Sequence, residues 1–123
     1  MKDLKDKNVI VTGASGGIGN SIIKKFSENG SNILASGTRV EKLEELKTKF
    51  KNVKILPFDI SQNDKIEDFI DNATNELNGK LDCIVNNAGI TQDNLAIRMT
   101  FDEWKKVIDV NLSSTFLLSK FAI

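Results

Sequence analysis

This sequence of 123 residues contains no histidine and no tyrosine, and it has only one proline and one cysteine. Without histidine, the chain offers no imidazole for acid–base catalysis or for binding a metal ion, so we expect no metal site. Without tyrosine, it offers no phenol as a proton donor. The single Cys83 cannot form a disulfide within the chain, and its place in an apolar run favours a reducing cytoplasm.

Net charge and long apolar runs are absent as well. Seventeen basic and seventeen acidic residues cancel to zero, so no overall field draws the chain to nucleic acid or to an anionic membrane. No apolar run reaches the length of a membrane span, and the N-terminus alternates charges, unlike a signal peptide. The composition therefore predicts a cytoplasmic protein whose partners are neither nucleic acids nor membranes.

What the sequence does contain is a glycine-rich turn between a strand pattern and a helix pattern. Residues 8–11 are typical of a strand, and five of the eight residues 12–19 are glycine or alanine. Apolar residues then recur at helical spacing from Ile18 to Phe26. A strand, a glycine turn and a helix in this order gather backbone N–H groups and the positive end of the helix dipole, which predicts a phosphate site. The glycine spacing is G-x-x-x-G-x-G, and a turn without a ligand is the alternative.

Strand and helix patterns alternate along the rest of the chain. The further strand patterns are residues 32–36, 53–58 and 81–85. Pro57 fits an edge strand, Ser61 with Asp64 resembles a capping box, and Thr100 with Glu103 starts the last helical stretch. Connections this short leave only parallel pairing, so the predicted fold class is α/β, a doubly wound (Rossmann) parallel sheet with four strands. Strands one and four are neighbours in that fold, which brings the glycine turn next to residues 86–90.

The end of the second predicted strand favours a phosphorylated dinucleotide. An acid there would bind the ribose hydroxyls of NAD, whereas a base would accept the 2′-phosphate of NADP. The strand ends in Thr38 and Arg39, and the first acid, Glu41, lies within the next helix pattern. Because a guanidinium is shaped to bind phosphate, the pattern predicts NADP(H). The alternative is that Arg39 is a solvated residue of the first helical turn.

Other polar residues follow the third and fourth strands. Asp59 could accept a hydrogen bond from adenine while Ile60 covers the ring, and the alternative is an acid favoured by a helix dipole. Asn86 and Asn87 are adjacent amides that can bond the backbone of neighbouring strands, and the small residues 88 and 89 leave room for a ribose.

Asn111 interrupts an apolar helix pattern between Val110 and Leu112. A polar side chain there is costly unless its hydrogen bonds are satisfied, and an amide that faces water is the alternative. The lysines at positions 24, 25, 105 and 106 are typical of solvated helix faces, so we predict no function for them.

Together these motifs resemble the short-chain dehydrogenase/reductase family. The resemblance rests on residues 12–19, Asp59, residues 86–89 and Asn111, and it covers the whole chain. Residues 89–94, 98–99 and 104 are further similar to the 3-oxoacyl-[acyl-carrier-protein] reductases of bacterial fatty-acid synthesis. The resemblance implies a catalytic role for Asn111, whose backbone carbonyl would hold a water of the proton relay. The candidate cofactor-binding residues are Gly13, Ala14, Ser15, Gly16, Gly17, Ile18, Gly19, Thr38, Arg39, Asp59, Ile60, Asn86, Ala88 and Gly89.

The chain departs from the family's pattern in two ways. Gly16 stands where many acyl reductases have an arginine for the 2′-phosphate, and Thr38 with Arg39 is the natural compensation. The family's catalytic serine and its Tyr-x-x-x-Lys motif are missing, so we expect residues 1–123 to be the N-terminal part of a single longer domain. The resemblance implies a homotetrameric, NADP(H)-dependent enzyme that reduces the 3-keto group of an acyl thioester on acyl-carrier protein.

Three alternatives remain open at this point. The first is a reductase of the same family that acts on a steroid, a sugar or a small ketone. The second is a non-catalytic protein that binds NADP(H) on the same fold. The third is a methyltransferase with a nucleotide-binding fold, although its S-adenosylmethionine site normally requires an acid where this chain has Arg39.

Overall fold

The computed structural model describes residues 4–88 and 99–123. Strands and helices alternate along these residues. The strands are β1 (Asn8–Val11), β2 (Asn32–Ala35), β3 (Val53–Ile55) and β4 (Cys83–Val85). The α-helices are α1 (Gly17–Glu28), α2 (Val40–Lys49), α3 (Ile66–Glu76), α4 (Phe101–Ile108) and α5 (Ser114–Ala122). A 3₁₀ turn at Asn63–Lys65 precedes α3, and a π-helical turn at Asp109–Ser113 joins α4 to α5.

The strands form one parallel sheet in the order β3-β2-β1-β4. Val11 at the end of β1 is in register with Ala35 of β2 on one side and with Val85 of β4 on the other. The carboxyl ends of these strands therefore lie side by side at one edge of the sheet. The predicted doubly wound fold class is confirmed, as are the pairing of β1 with β4 and the edge position of β3.

Apolar side chains pack on both faces of the sheet. On one face, Val9 and Val11 belong to the cluster that includes residues of α1 and α2. On the other face, Ile10 belongs to the cluster formed with α3 and α5. Successive side chains of a strand point to opposite faces, so an uninterrupted apolar run such as Val9–Val11 supplies both layers.

Three local predictions are wrong. β3 ends at Ile55, in register with the last residue of β2, and does not continue to Phe58. Ser61 does not cap a helix, because its N–H and hydroxyl both donate to Asp59 Oδ1, and α3 begins only at Ile66. Ile18 does not join the apolar stripe of α1, since it is 72% exposed at the second residue of the helix, before the part that packs on the sheet.

The start of α4 agrees with the sequence. The N–H of Glu103 donates to Thr100 Oγ1 at 3.1 Å, so the predicted pair of residues does begin this helix. In the part of the chain that the structure describes, every helix is too short or too polar to cross a membrane. The predicted cofactor-binding residue Gly89 and residues 90–98 lie outside the described residues.

Candidate functional site

A cleft of about 320 Å³ lies where the carboxyl ends of the strands meet. The turn after β1, the end of β2, the residues after β3, the turn after β4 and one side chain of α4 form its walls. Ligands of open α/β sheets bind at this position, where the strand order reverses. Its described lining residues are Thr12, Gly13, Ser15, Ser36, Gly37, Thr38, Phe58, Asp59, Ile60, Ser61, Ala88 and Lys106.

Two glycines in and after the turn that follows β1 pack closely against backbone atoms, whereas a third glycine faces open space. Gly13 has a φ of +63°, and a Cβ on it would lie 2.8 Å from the Cα of Ala88. A Cβ on Gly19 would overlap the carbonyl oxygen of Gly13. The fold itself therefore requires both glycines. Gly17 differs, because a Cβ there would meet no atom of the described chain within 4 Å.

The first turn of α1 is open to an anion. No side chain caps the helix after Gly16, and its first turn contains no acidic residue. The N–H of Ala14 is used by the carbonyl of Ser36 at 2.9 Å, and the helix's first internal bond joins Asn20 N–H to Gly16 O at 2.9 Å. The N–H groups of residues 17–19 precede that bond, so they have no partner within the helix. With the positive end of the helix dipole behind them, these N–H groups could hold an anion beside the space at Gly17.

Thr12 joins the turn after β1 to the turn after β4. Its buried hydroxyl donates to the carbonyl of Val85 at 3.3 Å and accepts from the N–H groups of Asn87 and Ala88, each at 3.1 Å. Asn87 Nδ2 also donates to the carbonyl of Gly13 at 3.1 Å. The predicted meeting of these two turns is confirmed for the described residues. We did not predict this role of Thr12, although the residue begins the motif of residues 12–19.

The end of β2 places Arg39 against the glycine turn. Arg39 Nη2 donates to the carbonyl of Ser15 at 3.0 Å, and the side chain is otherwise exposed at the rim of the cleft. Gly37 lies so close to this turn that a Cβ on it would be 2.9 Å from Ser15 Oγ. A guanidinium has five N–H donors in a planar fork, so the bond to Ser15 leaves donors for a phosphate. Thr38 adds a hydroxyl to the cleft wall.

Asp59 and Ile60 form the wall after β3. Asp59 Oδ1 accepts the N–H and the hydroxyl of Ser61, at 2.9 and 2.8 Å. These bonds leave Oδ2 of this exposed carboxylate for a ligand. Ile60 is buried, and its carbonyl accepts the hydroxyl of Ser114 at 2.6 Å. This bond anchors the start of α5 to the wall of the cleft.

Asn86 differs from its neighbour Asn87. We expected both amides to bond the backbone of adjacent strands, but Asn86 Nδ2 donates to Ser119 Oγ of α5 at 3.1 Å. Its Oδ1 is buried and has no hydrogen-bond partner in the described part of the chain. A buried carbonyl oxygen without a donor costs about 1–3 kcal/mol. The atom is therefore available to a donor from a ligand or from a further segment of protein.

Asn111 lies apart from the cleft lining. It is exposed in the π-helical turn between α4 and α5, and its carbonyl accepts the hydroxyl of Thr115 at 2.8 Å. A π-helical turn within a helix often marks a functional site. The lining described above also omits Ala14, the residues 16–19, Arg39 and Asn86.

Lys106 lines the cleft, although we did not predict it as a site residue. Its side chain is exposed, as we predicted for a solvated lysine. The sequence makes no distinction between Lys105 and Lys106, and only the packing of α4 beside the strand ends separates them. Phe58, Ser36 and Ser61 are further lining residues that the motifs did not indicate.

Comparisons with known proteins agree with this geometry. The short chain dehydrogenase family matches residues 7–123. Nodulation protein G of Rhizobium sp. (strain N33) is 40% identical over 121 residues, which are 98% of this chain and 49% of that protein. A 3-oxoacyl-[acyl-carrier-protein] reductase of Rickettsia conorii is 41% identical over 124 residues, covering 100% of this chain and 49% of that protein.

The solved structures include a similar protein. A short-chain dehydrogenase/reductase from Brucella melitensis, described as glucose/ribitol dehydrogenase, matches 96% of this chain and 49% of its own, with a TM-score of 0.88 and 28% identity. The chain spans about half the length of the curated relatives it matches. From the family match over residues 7–123, the parallel sheet and the glycine turn, the chain belongs to the short-chain dehydrogenase/reductase family of oxidoreductases.

Proposed function

We propose that this chain is the NADP(H)-binding part of a reductase that acts on 3-oxoacyl thioesters carried by acyl-carrier protein. The observation that carries the proposal is the cleft across the strand ends, with the open N-terminus of α1 at one side and Arg39 at the rim. The relative from Rickettsia conorii, whose name states this activity, supports the substrate class. Nodulation protein G is similar to the same degree, so a reductase of another ketone is the alternative.

The residues in and around the cleft suit the successive parts of NADP(H). The N–H groups at the start of α1 and the space at Gly17 suit the pyrophosphate. Thr38 and Arg39 would hold the 2′-phosphate, and their position is the reason for preferring NADP(H) to NAD(H). Asp59 Oδ2 and Ile60 would bind adenine. Ala88 borders the cleft and Asn86 Oδ1 lacks a donor, so we propose both for a ribose.

The cofactor, when bound, supplies the hydride that reduces the ketone. The part of this chain is to bind the dinucleotide, orient it over the strand ends and hold a water at the carbonyl of Asn111. Neither tyrosine nor histidine occurs in the chain to protonate the developing alkoxide. We therefore expect the 123-residue chain to bind NADPH without reducing a ketone.

Titration of the 123-residue chain with NADPH and NADH, followed by nicotinamide fluorescence, tests the proposal. We expect NADPH to bind about tenfold more tightly than NADH, because a charge-assisted bond to the 2′-phosphate contributes about 1.5–3 kcal/mol. Arg39→Gln should weaken NADPH binding and leave NADH binding unchanged. Absence of binding by either dinucleotide, or binding of S-adenosylmethionine instead, would contradict the cofactor assignment.

An activity assay separates the cofactor from the chemistry. The same chain is mixed with NADPH and acetoacetyl thioester, and the absorbance of NADPH is followed. We expect no turnover above the rate without protein, whereas measurable turnover would show that the chain holds a complete catalytic site. If the longer enzyme prefers another ketone, the substrate class is wrong and the cofactor assignment stands.

We also propose a homotetramer with α4 and α5 at a subunit interface. Phe101, Trp104 and Phe116 on these helices are 71%, 51% and 63% exposed, a large apolar surface for a monomer. Sedimentation at increasing concentration checks the assembly of the longer protein, and a protein that stays monomeric throughout would contradict it.

A further inference from the structure

One charged residue of the cleft has no part in the function proposed above. Lys106 lies in the last turn of α4 and lines the cleft with its side chain exposed. Within the described residues it takes part in neither of the ion pairs, which join Lys42 to Glu45 and Lys80 to Asp82. Its ammonium group is therefore available to a ligand of the cleft.

The position of Lys106 depends on how the last helices dock. Ser114, the first residue of α5, donates its hydroxyl to the carbonyl of Ile60 at 2.6 Å and contacts Asn63 Oδ1 at 3.0 Å. Leu118, one turn further along α5, is buried against the cluster that includes α3. These contacts hold α5 against the wall after β3. The π-helical turn joins α4 to α5, and Lys106 of α4 lines the cleft. Lys105, the adjacent lysine, is exposed and does not line it.

The charges of the lining show what Lys106 contributes. Asp59 and Lys106 are the acid and the base among the described lining residues. With Lys106 the lining is neutral, and without it the lining carries the charge of Asp59 alone. A dinucleotide brings a negatively charged pyrophosphate, and NADP(H) brings a third phosphate. The carboxylate of Asp59 opposes these phosphates, and Lys106 adds a positive charge to those that Arg39 and the start of α1 present.

We propose that Lys106 is a cofactor-binding residue whose ammonium group binds a phosphate of the dinucleotide. The inference rests on the proposed function, because it needs a nicotinamide dinucleotide in this cleft. A lysine has a flexible four-carbon stem and three N–H donors, so it reaches a phosphate as a point charge and not as a fixed fork. The 2′-phosphate and the pyrophosphate offer the same chemistry, and comparison of the two cofactors distinguishes them.

The test compares Lys106→Gln with the matched control Lys105→Gln in the 123-residue chain. The dissociation constants of NADPH and NADH are measured by nicotinamide fluorescence at low salt. We expect Lys106→Gln to weaken NADPH binding about fivefold, because it removes a charge-assisted bond that solvent partly screens. Lys105→Gln should change NADPH binding less than about twofold. A loss for NADPH alone assigns Lys106 to the 2′-phosphate, and an equal loss for both cofactors assigns it to the pyrophosphate.

The outcomes also separate this inference from the proposed function. If the unmodified chain binds neither cofactor, the proposed function is wrong and the inference falls with it. If it binds NADPH and the two lysine variants lose affinity equally, or neither loses it, the role of Lys106 is overturned while the proposed function stands. Lys106→Arg keeps the charge and should stay within twofold of the unmodified chain. Urea unfolding checks that the variants remain folded, as expected for an exposed side chain.

Discussion

β1 and β4 are neighbours in one sheet and both lead into the candidate site, but they lie in different surroundings. β1 pairs with a strand on each side, and its residues Val9–Val11 have 0% exposure. β4 pairs only with β1 among the described strands, its Cys83 is exposed, and Ile84 and Val85 are half-buried. The turn after β1 is therefore supported by its own strand, whereas the turn after β4 depends on bonds to the end of β1.

The largest difference in unfolding free energy is expected between alanine variants of two isoleucines that are paired in register. Ile10 of β1 is in register with Ile84 of β4. Ile10→Ala removes a fully buried side chain and should lower the free energy of unfolding by about 4 kcal/mol, whereas Ile84→Ala should cost about 1–2 kcal/mol because part of its surface already meets water. Urea unfolding of both variants measures the two values. Equal losses would show that the strands are equally packed in solution.

Glycine substitutions separate the support of the turn from its binding surface. Gly13→Ala places a Cβ 2.8 Å from the Cα of Ala88 at a φ of +63°, which should destabilise the chain by about 2–3 kcal/mol. Gly17→Ala meets open space within a helix and should raise stability by up to about 1 kcal/mol. Thermal unfolding compares them. A destabilised Gly17→Ala would mean that this space is occupied by protein in solution.

Thr12 tests whether the end of β1 supports the turn after β4. Thr12→Val keeps the shape but leaves the N–H groups of Asn87 and Ala88 without the hydroxyl that they share, so it should cost about 1–3 kcal/mol. Thr12→Ser keeps the hydroxyl and serves as the control. Hydrogen exchange of the amides of Asn87 and Ala88 is the local readout, and we expect it to rise in the valine variant. Unchanged exchange there would mean that β4 supports its own turn.

The smallest effect is expected at the other end of the two strands. Asp82, just before β4, accepts the backbone N–H of Asn8 at 2.8 Å, and this bond, with the charge of Lys80, lowers the pKa of Asp82 below its ordinary value. A carboxyl with a lowered pKa in the folded state stabilises the chain above its unfolded pKa. That contribution is lost as the pH falls through the folded pKa.

In acid unfolding below about pH 4, Asp82→Asn should therefore lack a small part of the pH dependence of the unmodified chain. The difference is small because Asp82 is a surface residue and its bond to Asn8 is exposed to solvent. Urea midpoints measured at pH 3 and pH 7 give the comparison. A pH dependence that is the same in both proteins would show that the bond to Asn8 does not affect the titration.

Some of the site could be predicted from the sequence because it depends on short stretches of chain. The glycine turn, the strand patterns and the start of α4 are local features, and they were sufficient for the fold class and the family. The roles of individual site residues stay predictions, including Asn111 and Gly89. Ile18 and Ser61 show where local patterns were wrong. Ile18 lies before the part of α1 that packs on the sheet, and Ser61 bonds to Asp59 instead of capping a helix.

The sequence by itself determined that a strand, a glycine turn and a helix follow one another, and that parallel strands must surround them. Backbone conformation and side-chain periodicity fix such features within about ten residues. Only the tertiary structure decided that Lys106 and not Lys105 borders the cleft, and that Thr12 holds the turn after β4. Those outcomes depend on how α4, α5 and β4 pack, and contacts between residues more than seventy positions apart leave no local pattern to detect.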